Sequence, residues 1–277
     1  MSSTIDKAFV AEFERDLHEE FQQRGSKLVS LVRKREGVVG NTDSFQKIGK
    51  GSATSKTRDG VVPPMNVDHS AVSCSLSDHY AGDWVDKLDE IKTKHDERAA
   101  LVRAGAAALG RKADNLVITA MDGTTSAVGD YTTALSKSLL LEAFEQLNAN
   151  DVPDDGQRFG VLAPHAWNEA LNINQFASAD FVGSDLPFLK GTQARTWLGI
   201  HWLMHTGLPL ANVDDRTCFV WHRSALGLAI GANVTTDVSW HGDRAAHFVN
   251  SYMSMGACLI DANGVVEIRV DDNTAIV

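Results

Sequence analysis

The stretch WVDKLDEIKTKHDERAALVRAGAAALGRKADNLVITAM, Trp84 to Met121, decides how the chain reads. Val85, Leu88, Ile91, Ala99, Val102, Ala106 and Leu109 recur close to the three-and-four spacing of an amphipathic helix, and charges fill the gaps. Glu90 and Lys94 stand four apart in attractive order, while Asp86 and Glu90 repel weakly. The pattern predicts a helix over about 86 to 109, roughly 36 Å long at about 1.5 Å per residue. Gly110 supplies a stop, and Leu116-Val117-Ile118 reads as a short buried strand. A beam of that length is unusual in a chain of this size.

Upstream, Ile5, Phe9, Phe13, Leu17 and Phe21 recur every fourth position, which predicts an amphipathic helix over residues 4 to 24 with a narrow apolar stripe. Gly25, Gly37 and the run Arg33-Lys34-Arg35 separate it from the next element, so its own domain and a neighbouring copy are both open as docking partners. Gly37 to Pro64 is rich in Gly, Ser, Thr and Lys, with alternation only around Phe45, Lys47 and Ile48, and is too polar to build a core. Val61-Val62 and Val72 to Leu76 read as strand pieces, predicting an extended two-stranded loop with its polar tip near Gly49 to Gly60. An isolated hairpin is marginal in water, so support from another subunit is expected.

Downstream, Asp122 to Ser126 is turn-rich, and Leu135 to Asn150 carries a second amphipathic helix ended by Pro153 and Gly156. Phe159 to Pro164 reads as a strand, His165 to Leu171 as the start of a helix, and Val265 to Val270 as a final alternating strand. Thr196 to Leu210 and Thr217 to Gly231 add apolar, partly β-type material. Helices and strands interleave without regular βαβ spacing, so the fold class is α+β.

The chain has 277 residues, long enough for one large or two small cores, and a formal net charge of −10. That charge argues against a general nucleic-acid binder. It is unevenly spread. Residues 22 to 60 hold nine basic side chains, Arg24, Lys27, Arg33, Lys34, Arg35, Lys47, Lys50, Lys56 and Arg58, against Glu36, Asp43 and Asp59. This segment reads as a solvated basic loop, as an arm and loop that lie on the acidic surface of another copy, or as a nucleic-acid contact, the last disfavoured because the rest of the chain would repel phosphates. No run is apolar enough to span a bilayer and no cationic leader precedes an apolar one, so the chain reads as soluble and made in a cytoplasm. Cys74, Cys218 and Cys258 lack CxxC spacing and read as buried free thiols.

Catalytic motifs fail one by one. Gly49-Lys50 resembles a phosphate loop but has Ser44 and Gly51 where that motif needs Gly and Ser or Thr. His201 and His205 are four apart, as zinc ligands on a helix would be, with Trp202 where a zincin carries its glutamate; a metal-dependent hydrolase built on this pair is the alternative reading. Asp122 to Asp130 has Thr124 and Ser126 where a calcium loop wants Asp or Asn. His241, Asp243 and His247 lie close in sequence without a nucleophile assigned to them. A non-enzymatic adaptor or scaffold acting through the first helix is a third reading. Six tryptophans add large apolar anchors for a core or a contact surface.

The order of parts resembles that of tailed-bacteriophage major capsid proteins of the Hong Kong 97 type. FQKIGKGSATSKTRDGVVPPMNVDHSAVSCSL (45 to 76) running into YAGDWVDKLDEIKTKHDERAALVRAGAAALGRKADNLVITAM (80 to 121) is similar to the extended loop and spine helix of that family. FGVLAPHAWNEAL (159 to 171), WLGIHWLMHTGLP (197 to 209) and VTTDVSWHGDRAAHFVNSYMSMGACLIDANGVVEIRV (234 to 270) are similar to its axial-domain opening, the stretch before its central strands, and its closing segment.

The resemblance implies an N-terminal arm over 1 to 44, an extended β-hairpin loop over 45 to 82, a peripheral domain with the spine helix over 83 to 158, an axial domain over 159 to 246, and a return to the peripheral domain over 247 to 277. It implies a structural protein without catalytic, metal or cofactor sites, self-assembling into pentamers and hexamers of an icosahedral head around double-stranded DNA. Inter-subunit contacts are then expected at Phe9, Phe13, Phe21, Arg33, Lys34, Arg35, Lys47, Lys50, Lys56 and Arg58. A separate scaffolding protein and the portal are the implied partners, with decoration proteins a further class. Assembly would take place in the host cytoplasm and the product would be the virion shell. Neither the partner asparagine nor the acidic residue of the family's lysine cross-link is matched, so no cross-linking is expected.

Overall fold

The computed structural model describes residues 22–92, 96–173 and 195–273. The expected helix over 4 to 24 lies outside them except at its last residues, 22 to 24, which are not helical. Phe9, Phe13 and Phe21 also lie outside the described residues.

The chain is organised around a 25-residue helix, α2 (Glu97–Met121), about 37 Å long at about 1.5 Å per residue. Asp96 caps it by accepting the Ala99 N–H at 3.1 Å. The helix starts later and ends later than its periodicity predicts. Trp84 and Val85 belong to a strand, β4 (Ser77–Asp86), and Lys87–Lys92 forms a separate short helix, α1. Gly110 does not stop α2, and Leu116 to Ile118 is helical. Gly110 is a crossing point: a Cβ there would come within 2.7–2.9 Å of the Gly25 backbone, so the missing side chain admits the chain entering from residue 25. The apolar run after it fills the inner face of the helix, with Val117, Ile118 and Met121 buried.

α2 packs on a four-stranded sheet of order β1-β10-β11-β4, where β1 is Arg33–Glu36, β10 Leu226–His241 and β11 Ala246–Leu259. β1 runs parallel to β10, while β10, β11 and β4 are antiparallel. β10 divides at irregularities between Ile230 and Thr235. Leu226 to Ile230 is buried, whereas beyond it the strand carries exposed Val234, Val238 and Trp240 on a long ribbon shared with β11 and β4.

A second, six-stranded sheet has the order β5-β12-β9-β6-β8-β7, with β5 (Ala127–Val128), β6 (Arg158–Leu162), β7 (Arg195–Trp197), β8 (Ile200–Met204), β9 (Asp215–His222) and β12 (Val265–Asp271). Two further helices, α3 (Lys137–Ala149) and α4 (Pro164–Asn172), bury their apolar faces in the same core. Ser136 caps α3 through the Leu139 N–H, and Pro164 opens α4. Trp167, Trp202 and Trp221 are fully buried in this core. The Trp202 and Trp221 indoles donate to the carbonyls of Trp197 and Leu31.

Sheet membership cuts across the expected segment boundaries. The boundary at 246 falls at the turn between β10 and β11, which pair along their length. β12, inside the expected return segment, pairs with β9 and β5.

The extended loop is a hairpin of β2 (Thr42–Ile48) and β3 (His69–Ser75), in register from Thr42 opposite Ser75 to Ile48 opposite His69. Its irregular tip is longer than predicted, spanning residues 49 to 68, and Val61-Val62 is part of that tip instead of a strand. The expectation that the hairpin lacks support of its own is corrected. Phe45 is 1% exposed and forms a small core with Cys74, Ala229 and Ile260. Gly227 leaves the space for its ring: a Cβ there would meet the ring atoms at 2.7–2.9 Å. At Gly256 the Ser75 carbonyl crosses directly over β11. The base of the hairpin therefore sits on its own sheet.

Candidate assembly surfaces

The segment Gln23 to Leu28, the root of the expected arm, is fixed by one buried carboxylate, Asp114, on the inner face of α2. It accepts from the Lys27 and Leu28 N–H groups at 3.0–3.1 Å, from Gln23 Nε2 at 2.6 Å, and from the Ser26 hydroxyl. His205 Nε2 lies 3.0 Å away on the other side. Because His205 Nδ1 accepts the Gly207 N–H, the ring carries its proton on Nε2 and donates it to Asp114. Burial alone would raise the Asp114 carboxyl. Hydrogen bonds from His205, Lys27 N–H, Ser26 and Leu28 N–H outweigh it and hold the group below the ordinary carboxylate range. Sequence reading missed this residue because it ended the helix at 109. The signal was present: Gly110, Asp114, Val117 and Met121 form one helical stripe, and a lone acid in such a stripe needs partners.

The expected basic contacts fall into three groups. On β1, the guanidinium groups of Arg33 and Arg35 each stand 5.6 Å from the Phe45 ring centroid, and Arg35 also pairs with Asp43 at 2.7 Å. Lys34, between them, is exposed. Lys47, on the hairpin shank, pairs with Asp261 at 3.0 Å, and Lys50, at the start of the tip, pairs with Asp151 at 2.6 Å, both on its own chain. At the tip, Lys56 and Arg58 are exposed and have no acidic partner among the described residues. The structure thus gathers the first two groups against the chain's own body and leaves the third outward.

At the far end of the β4-β11-β10 ribbon, Trp84 packs tilted against Phe248 and edge-on against His241, centroids 4.5 and 5.0 Å apart, and the Arg244 guanidinium lies 4.4 Å over its ring. Trp240 packs edge-on against His247 and remains 51% exposed. Of the six tryptophans, three are buried in the core, Trp197 packs against it, and Trp84 and Trp240 mark this tip. No bond joins Asp243 to His241 or His247 among the described residues; Ser239 Oγ is the polar neighbour of His241, at 3.1 Å.

The metal reading of His201 and His205 fails on geometry. Both follow from strand β8, where a four-residue separation spans about 13 Å at roughly 3.3 Å per residue, too far for one ion. His201 Nδ1 is bonded to Thr196 Oγ1 at 2.7 Å, and His205 is committed to Asp114. Among the described residues no three His, Cys, Asp or Glu side chains are placed to hold a metal. Asp155, His222 and Ser224 do form a hydrogen-bonded chain that sequence reading missed, with contacts of 3.1 and 2.7 Å. His222 Nδ1 also accepts the Ser224 N–H, so the ring caps the turn over Arg223–Ala225.

What the molecule offers is therefore surface: an arm root, a hairpin and a ribbon tip. A sequence profile of the phage capsid protein family matches residues 5–272. The chain belongs to that family. A comparison with curated proteins finds no sequence that matches. Solved structures similar to this capsid protein include one from Mycobacterium phage Che8, at 19% identity and TM-score 0.75 over 94% of this chain and 97% of that one. The capsid structure of cyanophage P-SCSP1u is similar at 15% identity and TM-score 0.76, covering 98% and 95%. The capsid of Ralstonia phage GP4 follows at 12% and 0.71, covering 95% of each. The fold is of the Hong Kong 97 type, and the protein is a major capsid protein of the phage head shell.

Proposed function

We propose that this capsid protein builds pentamers and hexamers of an icosahedral head that encloses double-stranded DNA, acting as a structural subunit and not as an enzyme. The observation that carries the reading is the combination of a rigid α2 on its long ribbon with a hairpin whose base is anchored and whose 20-residue tip projects polar and basic. Sheet membership supports assigning the peripheral role to α2 with β10 and β11, against which β1 of the arm and β4 at the foot of the loop pair, and the axial role to the six-stranded sheet with α3 and α4. Residues 1 to 44 act as the arm and 45 to 82 as the loop that overlaps a neighbour, with Lys56 and Arg58 as its leading contacts. A separate scaffolding protein, the portal and decoration proteins are partners, and assembly occurs in the host cytoplasm. Net charge −10 suits a shell that encloses DNA without gripping it.

The test is electron microscopy with sedimentation of the protein expressed alone and with its neighbouring genes. Closed shells or capsomer rings are expected. A monodisperse monomer under both conditions would overturn the proposal, as would full assembly after deletion of the loop tip for the role given to that tip.

A further inference from the structure

A cavity of about 380 Å³ lies between α2, the arm root and the loop after β8, lined by Gln23, Arg111, Lys112, Asn115, His205 and Thr206 among others. Its volume is within the range of small-ligand sites, roughly 300 to 1,000 Å³. Two adjacent cations, Arg111 and Lys112, face it, and among the described residues no acid pairs with either. Among the described residues Arg111 Nη1 bonds neutral oxygens, Gln22 Oε1 at 2.8 Å and the Gln23 carbonyl at 3.3 Å. Lys112 has no acidic partner among the described residues, and its charge helps burial to hold the His79 imidazole below its ordinary value. Asp114, one turn along the same helix, is saturated by donors from Gln23, Lys27, Leu28 and His205. Asn115 and Thr206 add neutral hydrogen-bonding groups at the rim.

We infer that this cavity is an anion site that takes a phosphate or carboxylate group between Arg111 and Lys112. Anionic oxygens match what the lining supplies: a guanidinium fork, an ammonium, an amide and a hydroxyl. Since Arg111 also holds Gln22 and Gln23, a bound anion would fasten the arm root to α2 by bridging the same guanidinium. The inference concerns the single subunit and stands apart from the arrangement of subunits in the shell.

Titration calorimetry of the full-length protein with inorganic phosphate, with acetate and with chloride at matched ionic strength tests it. Saturable binding of phosphate or acetate but not chloride is expected, and which of the two binds identifies the group. Lys112→Gln, at a partly exposed helix position, should weaken that binding roughly tenfold or more while leaving the circular dichroism unchanged. Asn115→Leu should weaken it less. Absence of binding by the wild type, or equal binding by wild type and Lys112→Gln, would overturn the assignment.

Discussion

Replacing Asp114 tests whether one carboxylate holds the arm root in place. In Asp114→Ala the Gln23 and Ser26 side chains, which are near the surface, can turn to water, but the Leu28 N–H and His205 Nε2–H cannot. Each buried donor left unpaired costs about 1–3 kcal/mol. Two of them give about 2–6 kcal/mol. Asp114→Asn keeps one acceptor oxygen and should cost about half as much. The pH dependence has a definite sign. A carboxyl held below its unfolded pKa, about 3.9, stabilises the fold above that value and loses the contribution as pH falls through its lower folded pKa. Urea unfolding of the purified subunit should therefore show a full gap between wild type and Asp114→Asn at about pH 5 and above, closing below about pH 4. Trypsin should also reach Arg24 and Lys27 sooner in the variant. A midpoint within about 0.5 kcal/mol of wild type for Asp114→Ala, or a gap that widens in acid, would refute the reasoning.

Gly110→Ala sets propensity against packing. Helix propensity favours alanine by about 1 kcal/mol, but the new Cβ would meet the Gly25 backbone at 2.7–2.9 Å, so net destabilisation of about 1–3 kcal/mol is expected in thermal unfolding. Glu169 is buried in α4, where it accepts the Leu135 N–H at 2.8 Å. Burial, reinforced by Asp272, raises its carboxyl against the Leu135 and His165 contacts. A raised folded pKa favours the fold at low pH and loses that contribution as pH rises through it. Glu169→Gln, which keeps an acceptor for Leu135, should then be more stable than wild type at alkaline pH, with the difference shrinking toward about pH 4. Melting curves across that range check it.

Much of the architecture was legible because periodicity was strong. Leu139 to Leu147, the strand at Phe159 to Leu162 and the alternation of Val265 to Val270 all appear within a residue or two of where the pattern puts them. The errors share one cause: a local signal overruled by a distant partner. Gly110 carries the signature of a helix stop, yet the chain at Gly25 is what requires it. Trp84 and Val85 fit a helical stripe, but pairing with Phe248 and His247 makes them strand. Phe45 stands among polar residues with no sequence hint of a core, because its pocket is a glycine 182 positions later. Of the expected contact residues, Arg33 to Arg58 stand out in the sequence by charge alone, as one basic segment. Which of those cations are tied down within the chain depends on Asp261 and Asp151, and no spacing rule reports that.

The distribution of those ties argues for where the hairpin bends. Its base is held by a buried aromatic ring and close backbone crossings, whereas the end of its shank and the start of its tip are held by Lys47 with Asp261 and Lys50 with Asp151, pairs open to solvent. Exposed pairs are weak and screened by salt, so they exchange readily for carboxylates on a neighbour, while the Phe45 contacts do not. One subunit can then meet non-identical neighbours by moving residues 49 to 68 and part of the shank about a fixed root. Hydrogen exchange on the purified subunit should show the Phe45 and Val72 amides protected and those from Gly49 to Asp68 fast. Raising salt should extend fast exchange to Lys47 and no further. Phe45→Ala, which removes a fully buried ring at a cost of about 3–5 kcal/mol, should free the whole hairpin at low salt and abolish assembly before the α2 core melts. Uniform exchange along the hairpin in wild type, or normal shells from Phe45→Ala, would place the bend elsewhere.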